Sequence, residues 1–195
     1  MTEAEKCKAG LLYDTAFPGR EEAHEKCADL CHKYNRTRPS NKRRREKLIR
    51  KLFKSVGKNP YVEPNIFCGF GTNITVGDNF FANNDCVFVD PGEIIMGDNV
   101  MIGPQCGFYT ANHPLDAKKR IAGFETAHPI VVGDNVWFGG GVKVLPGVTI
   151  GKNSVIGAGS IVTRDIPENS LAYGNPCKVI KKLSDYAVSH KDVSA

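Results

Sequence analysis

The sequence has no run of 18 apolar residues, and it opens on a polar stretch, Met1 to Lys8, with no apolar leader. Neither membrane insertion nor export is encoded in that start, so the expectation is a cytoplasmic protein with no membrane partner. Cys-x-x-Cys pairs are absent as well. The seven cysteines, Cys7, Cys27, Cys31, Cys68, Cys86, Cys106 and Cys177, are odd in number, which fits free thiols rather than a disulfide or zinc framework. Charge of one sign is only mildly in excess, at +5. Much of that excess lies in Arg36 to Lys51, where Lys42-Arg43-Arg44-Arg45 precedes Leu48, Ile49, Leu52 and Phe53 at amphipathic-helix spacing. No recognised nucleic-acid module accompanies it, so it is taken as a solvated helix face, with no nucleic acid as partner.

What the chain does have is a period. From Ile130 to Ile166 an aliphatic or aromatic residue returns every six positions, at Val132, Phe138, Val144, Ile150, Ile156 and Val162. A second inward set follows four places on, at Val136, Val142, Val148, Ser154, Ser160 and Ile166. Six matches neither the 3.6 of a helix nor plain strand alternation. It predicts short strands separated by corners and stacked as a solenoid, with three blocks per triangular coil. Gly133, Gly139, Gly151 and Gly157 fall at corners, where either positive φ or a close backbone approach suits a residue without Cβ. The pattern resembles the hexapeptide-repeat family, and that resemblance implies a left-handed parallel β-helix.

Traced backward, the leading residues are Phe70, Val76, Ala82, Phe88, Met96, Ile102 and Phe108. Phe88 to Met96 holds two extra residues around Asp90-Pro91-Gly92. Phe108 to Val132 holds an insertion of eighteen, roughly 112–129, and a long loop in a compact solenoid is usually functional or disordered. Ahead of the repeats, helices are predicted over Thr2 to Ala9, Arg20 to Asn35 and Asn41 to Val56, the first two separated by Pro18-Gly19. The expected organisation is mainly β: an N-terminal helical segment over 1–58, a β-helix over 59–170 and a C-terminal tail over 171–195.

His113 stands at the mouth of the insertion. A neutral imidazole accepts a hydroxyl proton near neutral pH, although a loop histidine is also ordinary surface. Around it, Gly10 to Asp14, Asn79 to Asn83, Asn112-His113-Pro114, Asn135-Val136-Trp137, Pro146 to Gly151 and Gly174 to Cys177 resemble the maltose and galactoside O-acetyltransferases in order and spacing. The resemblance covers about residues 5 to 183. It implies homotrimers that move acetyl from acetyl-CoA to a sugar hydroxyl, with no metal.

By position, the resemblance makes His113 the general base and Asn83 a catalytic residue that also contacts the acceptor. Read alone, Asn83 is a corner asparagine tolerating left-handed φ. Asp14, Asp90 and Glu125 match acidic acceptor-site positions, and either Glu125 or Asp116 is a candidate to orient the imidazole. Trp137, Gly140, Ala158, Thr163, Arg164, Lys178 and Lys181 fall along the implied cofactor path, where small residues admit the pantetheine arm and cations meet phosphates. Corner geometry and solvated charge account for the same residues without a ligand. Gly69 departs from the Ser or Asp common in the family, and Pro91 from a second Asp. The block count places Asn83 between the first and second faces and His113 after the third, predicting that they meet only across two subunits. Two other readings are a metal-dependent hydratase of the γ-carbonic-anhydrase type and a non-catalytic β-helix binding protein. The hydratase needs about three histidines, and the repeat region holds only His113 and His128.

Overall fold

The computed structural model describes residues 1–183. Short parallel strands stack into three sheets, the walls of a triangular prism. The first wall contains Ser55–Val56, Ile74–Val76, Ile94–Met96, Ile130–Val132 and Thr149–Ile150. The second runs Tyr61–Val62, Phe81–Ala82, Met101–Ile102, Trp137–Phe138, Val155–Ile156 and Ser170–Tyr173, with Lys178–Lys182 added antiparallel. The third contains Phe67–Cys68, Val87–Val89, Gly107–Tyr109, Lys143–Val144 and Ile161–Val162. Both inward sets of the hexad are buried, from Val132 to Val162 and from Val136 to Ile166. Ser154 and Ser160 are fully covered and spend their hydroxyls on the carbonyls of Pro167 and Gly157, as burial of a polar group requires.

Register corrects the backward trace. Cys68, not Phe70, is the inward partner of Phe88, and Cys68 is buried. The first two coils each hold 20 residues, Val56 to Val76 and Val76 to Met96, because the corner after the third wall is enlarged in both. The expected enlargement at Asp90 to Gly92 is therefore the second of a pair. The first, at Gly69 to Gly71, frees Phe70 from the core.

Corners depend on two devices. Asn59, Asn79, Asn99, Asn135, Asn153 and Asn169 all adopt φ of 54–59°. The first five each donate a side-chain N–H to the next asparagine's Oδ1 along the prism edge, at 2.9–3.1 Å, and Asn169 ends the ladder as an acceptor. The corner glycines of the Ile130 to Ile166 repeat have the other role. A Cβ on Gly133 would lie 2.6 Å from Lys152 N, so close approach, not positive φ, excludes a side chain there.

The N-terminal segment closes one end of the prism. Helices α1 (Glu3–Lys8), α2 (Arg20–Asn35) and α3 (Lys42–Leu52) precede the first strand of the prism walls. The first two agree with expectation within a residue. The third stops at Leu52 rather than Val56, because Ser55–Val56 is taken as a strand by Thr75–Val76. Ile49, Leu52 and Phe53 enter the core, with the Phe53 ring 6.4 and 6.2 Å from those of Phe80 and Phe88. Arg45 leaves the expected solvated face. It is buried under the Tyr34 ring at 4.4 Å and donates to the carbonyls of Thr37 and Val62. All seven cysteines are free and buried. Of the tail, 184–195 lie outside the described residues.

Candidate active site

The insertion is ordered by pairing with the N-terminal segment. Ala111–Asn112 runs antiparallel to Phe124–Ala127, which runs antiparallel to Tyr13–Asp14. Between them lies the short helix α4 (Ala117–Ile121), whose N-cap Asp116 accepts from the N–H groups of Lys118 and Lys119. Asp116 is thus occupied in its own helix cap. The register sets Glu125 opposite Tyr13.

Glu125 is the hub. Its Oε2 accepts the Tyr13 hydroxyl at 2.7 Å and faces Arg20 Nη2 at 3.2 Å. Its Oε1 lies 3.8 Å from His113 Nε2. On the far side of the ring, His113 Nδ1 is 3.4 Å from the carbonyl of Phe124. A carbonyl only accepts, so the contact is a hydrogen bond in the neutral tautomer that carries its proton on Nδ1, which leaves the lone pair on Nε2. Burial raises the Tyr13 phenol pKa, and its hydrogen bond to Glu125 raises it further. Burial opposes the charge on Arg20, but its bonds to Tyr13 and Glu125 outweigh that and raise its pKa.

A cleft of about 810 Å³ opens beside this cluster. Glu125, Arg20 and Glu21 line it, together with Phe17, Phe67 and Phe70. Asp90 lies beneath its floor, between Val89 and Pro91, which line the cleft. The side chain is fully buried; Oδ1 accepts the Phe70 N–H at 2.8 Å, and Oδ2 has no hydrogen-bond partner. Burial pushes its pKa up to about 7, against the nearby N–H groups of Phe70, Gly71, Asn73 and Gly69. Gly69 keeps that carboxylate uncrowded: a Cβ there would meet Oδ1 at 3.3 Å.

The structure therefore brings Asp14 and Glu125 into one small sheet, with His113 directly after its Ala111–Asn112 strand and Asp90 under the cleft beside them. Asp14 Oδ1 accepts from Ala16 N–H within its own turn. Asn83 is elsewhere. It follows Phe81–Ala82, at the corner between the second and third walls, because strands straddle the block boundaries that the count treated as corners. It is absent from the positive-φ set, where Asp85 holds that conformation instead. The cofactor-path residues occupy the later coils. Trp137 points outward from the second wall, 53 % exposed. Gly140 and Ala158 stack at the corner after it, linked by Gly159 N–H to the Gly140 carbonyl. Thr163 and Arg164 follow the third wall, and Lys178 and Lys181 lie on the added strand. No three His, Cys, Asp or Glu side chains among the described residues are arranged to hold a metal ion. No helix among them is long and apolar enough to cross a membrane.

Sequence reasoning missed Tyr13 and Arg20. Tyr13 had one signal, its place beside Asp14. Arg20 follows the Pro18-Gly19 break as an ordinary first helical residue, and its partner Glu125 is 105 positions away.

A prism of six-residue blocks with a helical end and a histidine on its one long insertion defines a hexapeptide-repeat acyltransferase. The match to known proteins narrows this. Residues 6–57 fit the maltose acetyltransferase hexapeptide capping motif, and 129–164 fit the bacterial transferase hexapeptide, six repeats. A maltose O-acetyltransferase from Clostridium difficile 630 is 51 % identical, with a TM-score of 0.92 over 95 % of this chain and 99 % of that one. The galactoside O-acetyltransferase of Escherichia coli K12 is 42 % identical over 95 % of this chain and 91 % of its own. A hexapeptide-repeat acetyltransferase of Vibrio cholerae O1 biovar eltor, complexed with acetyl coenzyme A, is 38 % identical, with a TM-score of 0.88 over 95 % and 100 %. The chain belongs to the maltose and galactoside O-acetyltransferase family, an acetyltransferase on a left-handed parallel β-helix.

Proposed function

We propose that the protein moves acetyl from acetyl-CoA to a hydroxyl of a sugar, with His113 as general base. The observation that supports this most is the place of the His113 ring, with Nδ1 against the Phe124 carbonyl and Nε2 on its other side, beside an aromatic-lined cleft. Phe17, Phe67 and Phe70 offer flat apolar faces, while Arg20, Glu21 and Glu125 offer hydrogen-bonding groups, the mixture a sugar ring needs. His113 Nε2 takes the acceptor hydroxyl proton as its oxygen attacks the thioester carbonyl. The side-chain N–H of Asn83 donates to the oxyanion that develops there. The imidazolium then returns its proton to the departing thiolate. Exposed Arg164 and Lys178 suit the cofactor phosphates, and the side-chain-poor corner of Gly140 and Ala158 suits its pantetheine arm.

Asn83 and His113 stand at different corners of one prism, so the working site is assembled from two subunits of a homotrimer. One outward column favours such contact. Tyr61, Phe81, Met101, Trp137, Val155 and Leu171 are paired in register along the second wall, with Tyr61, Met101 and Trp137 38–53 % exposed. An apolar stripe of that length on a prism wall is a surface for another chain. The first test measures thiol release from acetyl-CoA against a panel of sugars. His113→Ala should lower the acceptor-dependent rate by about 10²–10⁴-fold while leaving acetyl-CoA binding intact. Full activity in that variant would remove His113 as the base.

A further inference from the structure

Arg20 has an environment that sugar binding alone does not explain. Its guanidinium lies over three rings from three segments, 5.7 Å from Tyr13, 5.8 Å from Phe17 and 5.3 Å from Phe70. Rings on that many sides fix a long side chain that would otherwise be free to swing. Held there, Arg20 and the Tyr13 hydroxyl occupy one oxygen of Glu125 and turn the other toward His113 Nε2 at 3.8 Å. In the resting tautomer that gap separates two acceptors, which do not bond. Once Nε2 takes a proton, it separates opposite charges.

We propose that Arg20 is a positioning residue that sets the basicity of His113, by aiming Glu125 and cancelling part of its charge. This rests on His113 being the general base. A carboxylate beside an imidazole favours the imidazolium, and an imidazolium has no lone pair with which to take a hydroxyl proton. Arg20 limits that effect in the free enzyme, while Glu125 Oε1 stays in place to stabilise the imidazolium formed during transfer.

Of the other charged groups near the imidazole, Asp14, Asp116 and Arg120 are committed elsewhere. On the strand beside Phe124–Ala127, Asp14 accepts from Ala16. On α4 and its lead-in, Asp116 caps the helix, and Arg120 donates to the carbonyls of Pro114 and Leu115; Lys118 and Lys119 are exposed there. On α2, Glu21 and Glu22 line the cleft. These last two also argue against Arg20 as a receptor for an anionic acceptor, since with Glu125 they leave the cleft net negative.

The test titrates the His113 imidazole by NMR in the full-length protein, its resonance assigned by loss in His113→Gln. The acid limb of kcat/KM is measured in the same samples. Arg20→Met should raise the His113 midpoint by about one pH unit, so that activity is lost at correspondingly higher pH, and Glu125→Gln should lower it. Arg20→Lys, which keeps the charge, should hold the midpoint near that of the parent. Should Arg20→Met fail to fold, Arg20→Gln makes the same comparison with a donor retained and the charge removed. A midpoint unmoved or lowered on loss of the Arg20 charge overturns the proposal and leaves Arg20 as an anchor for α2. A midpoint that rises while the acid limb stays put upholds the coupling of Arg20 to His113 and instead removes His113 as the base.

Discussion

At the residue scale, Asp90 links pH to folding. Its pKa is pushed up to about 7 from 3.8 by burial. The unfolded chain therefore releases a proton between about pH 4 and 7 that the folded chain retains. Since the folded state prefers the acid form, its stability falls as pH rises through that window and levels off above it. Asp90→Asn keeps an oxygen for the Phe70 N–H and removes the titration. Urea unfolding at fixed protein concentration should show the parent losing on the order of 3 kcal/mol across the window relative to Asp90→Asn. The slope is the quantity to compare, because the new amide N–H groups add a cost that does not vary with pH. Parallel slopes would mean that Asp90 is already ionised in the folded protein. The reason for tolerating such a group lies beside the cleft: one oxygen ties down Phe70, whose ring flanks Arg20, and the other is left unpartnered.

At the element scale, the asparagine edge explains how strands of two or three residues stay aligned. Such strands make few ladder bonds, so each corner must also be fixed, and left-handed φ costs roughly 1 kcal/mol for a residue with Cβ and no local hydrogen bond. Asn135 bonds to the asparagines above and below it at 2.9 Å. Asn135→Ala should destabilise by about 1–2 kcal/mol in thermal or urea unfolding, and Asn135→Gly by less, since glycine removes the φ cost but not the lost bonds. The reverse order would mean that the bonds and φ do not limit this corner. Regularity also decided what could be read before the fold was known. The inward positions from Val132 to Ile166 were legible because core contact repeats strictly at six. Phe70 was misplaced because an enlarged corner conserves hydrophobic character while shifting the count by two. The first two helices were legible from their breakers, whereas the end of the third was set by a strand 20 residues away claiming Ser55–Val56. His113 stood out by its place at the mouth of the insertion, and Glu125 entered through the family resemblance. Tyr13 and Arg20 were not, since only folding sets them beside Glu125.

At the scale of the whole molecule, one protomer holds His113, the proposed base, and the aromatic cleft at one corner and Asn83 at another. The intersubunit reading makes two demands. First, the outward column of the second wall must be needed for assembly. Trp137→Asp or Met101→Asp places a charge in the exposed apolar stripe and should shift the protein toward smaller species in analytical ultracentrifugation, with loss of transfer. Second, two inactive variants should rescue each other. His113→Ala and Asn83→Ala each spoil every site of their own homotrimer. In a trimer of mixed chains, an interface formed by His113 from an Asn83→Ala chain and Asn83 from a His113→Ala chain is intact. Such an interface occurs whenever both chain types are present in a ring with heterologous contacts. Co-expressed variants isolated as mixed trimers should therefore recover on the order of a third of parental activity, one good interface in three, while separately purified variants stay inactive. No recovery in demonstrably mixed trimers would place both residues in the same protomer's site, and an active monomer would do so without any mixing.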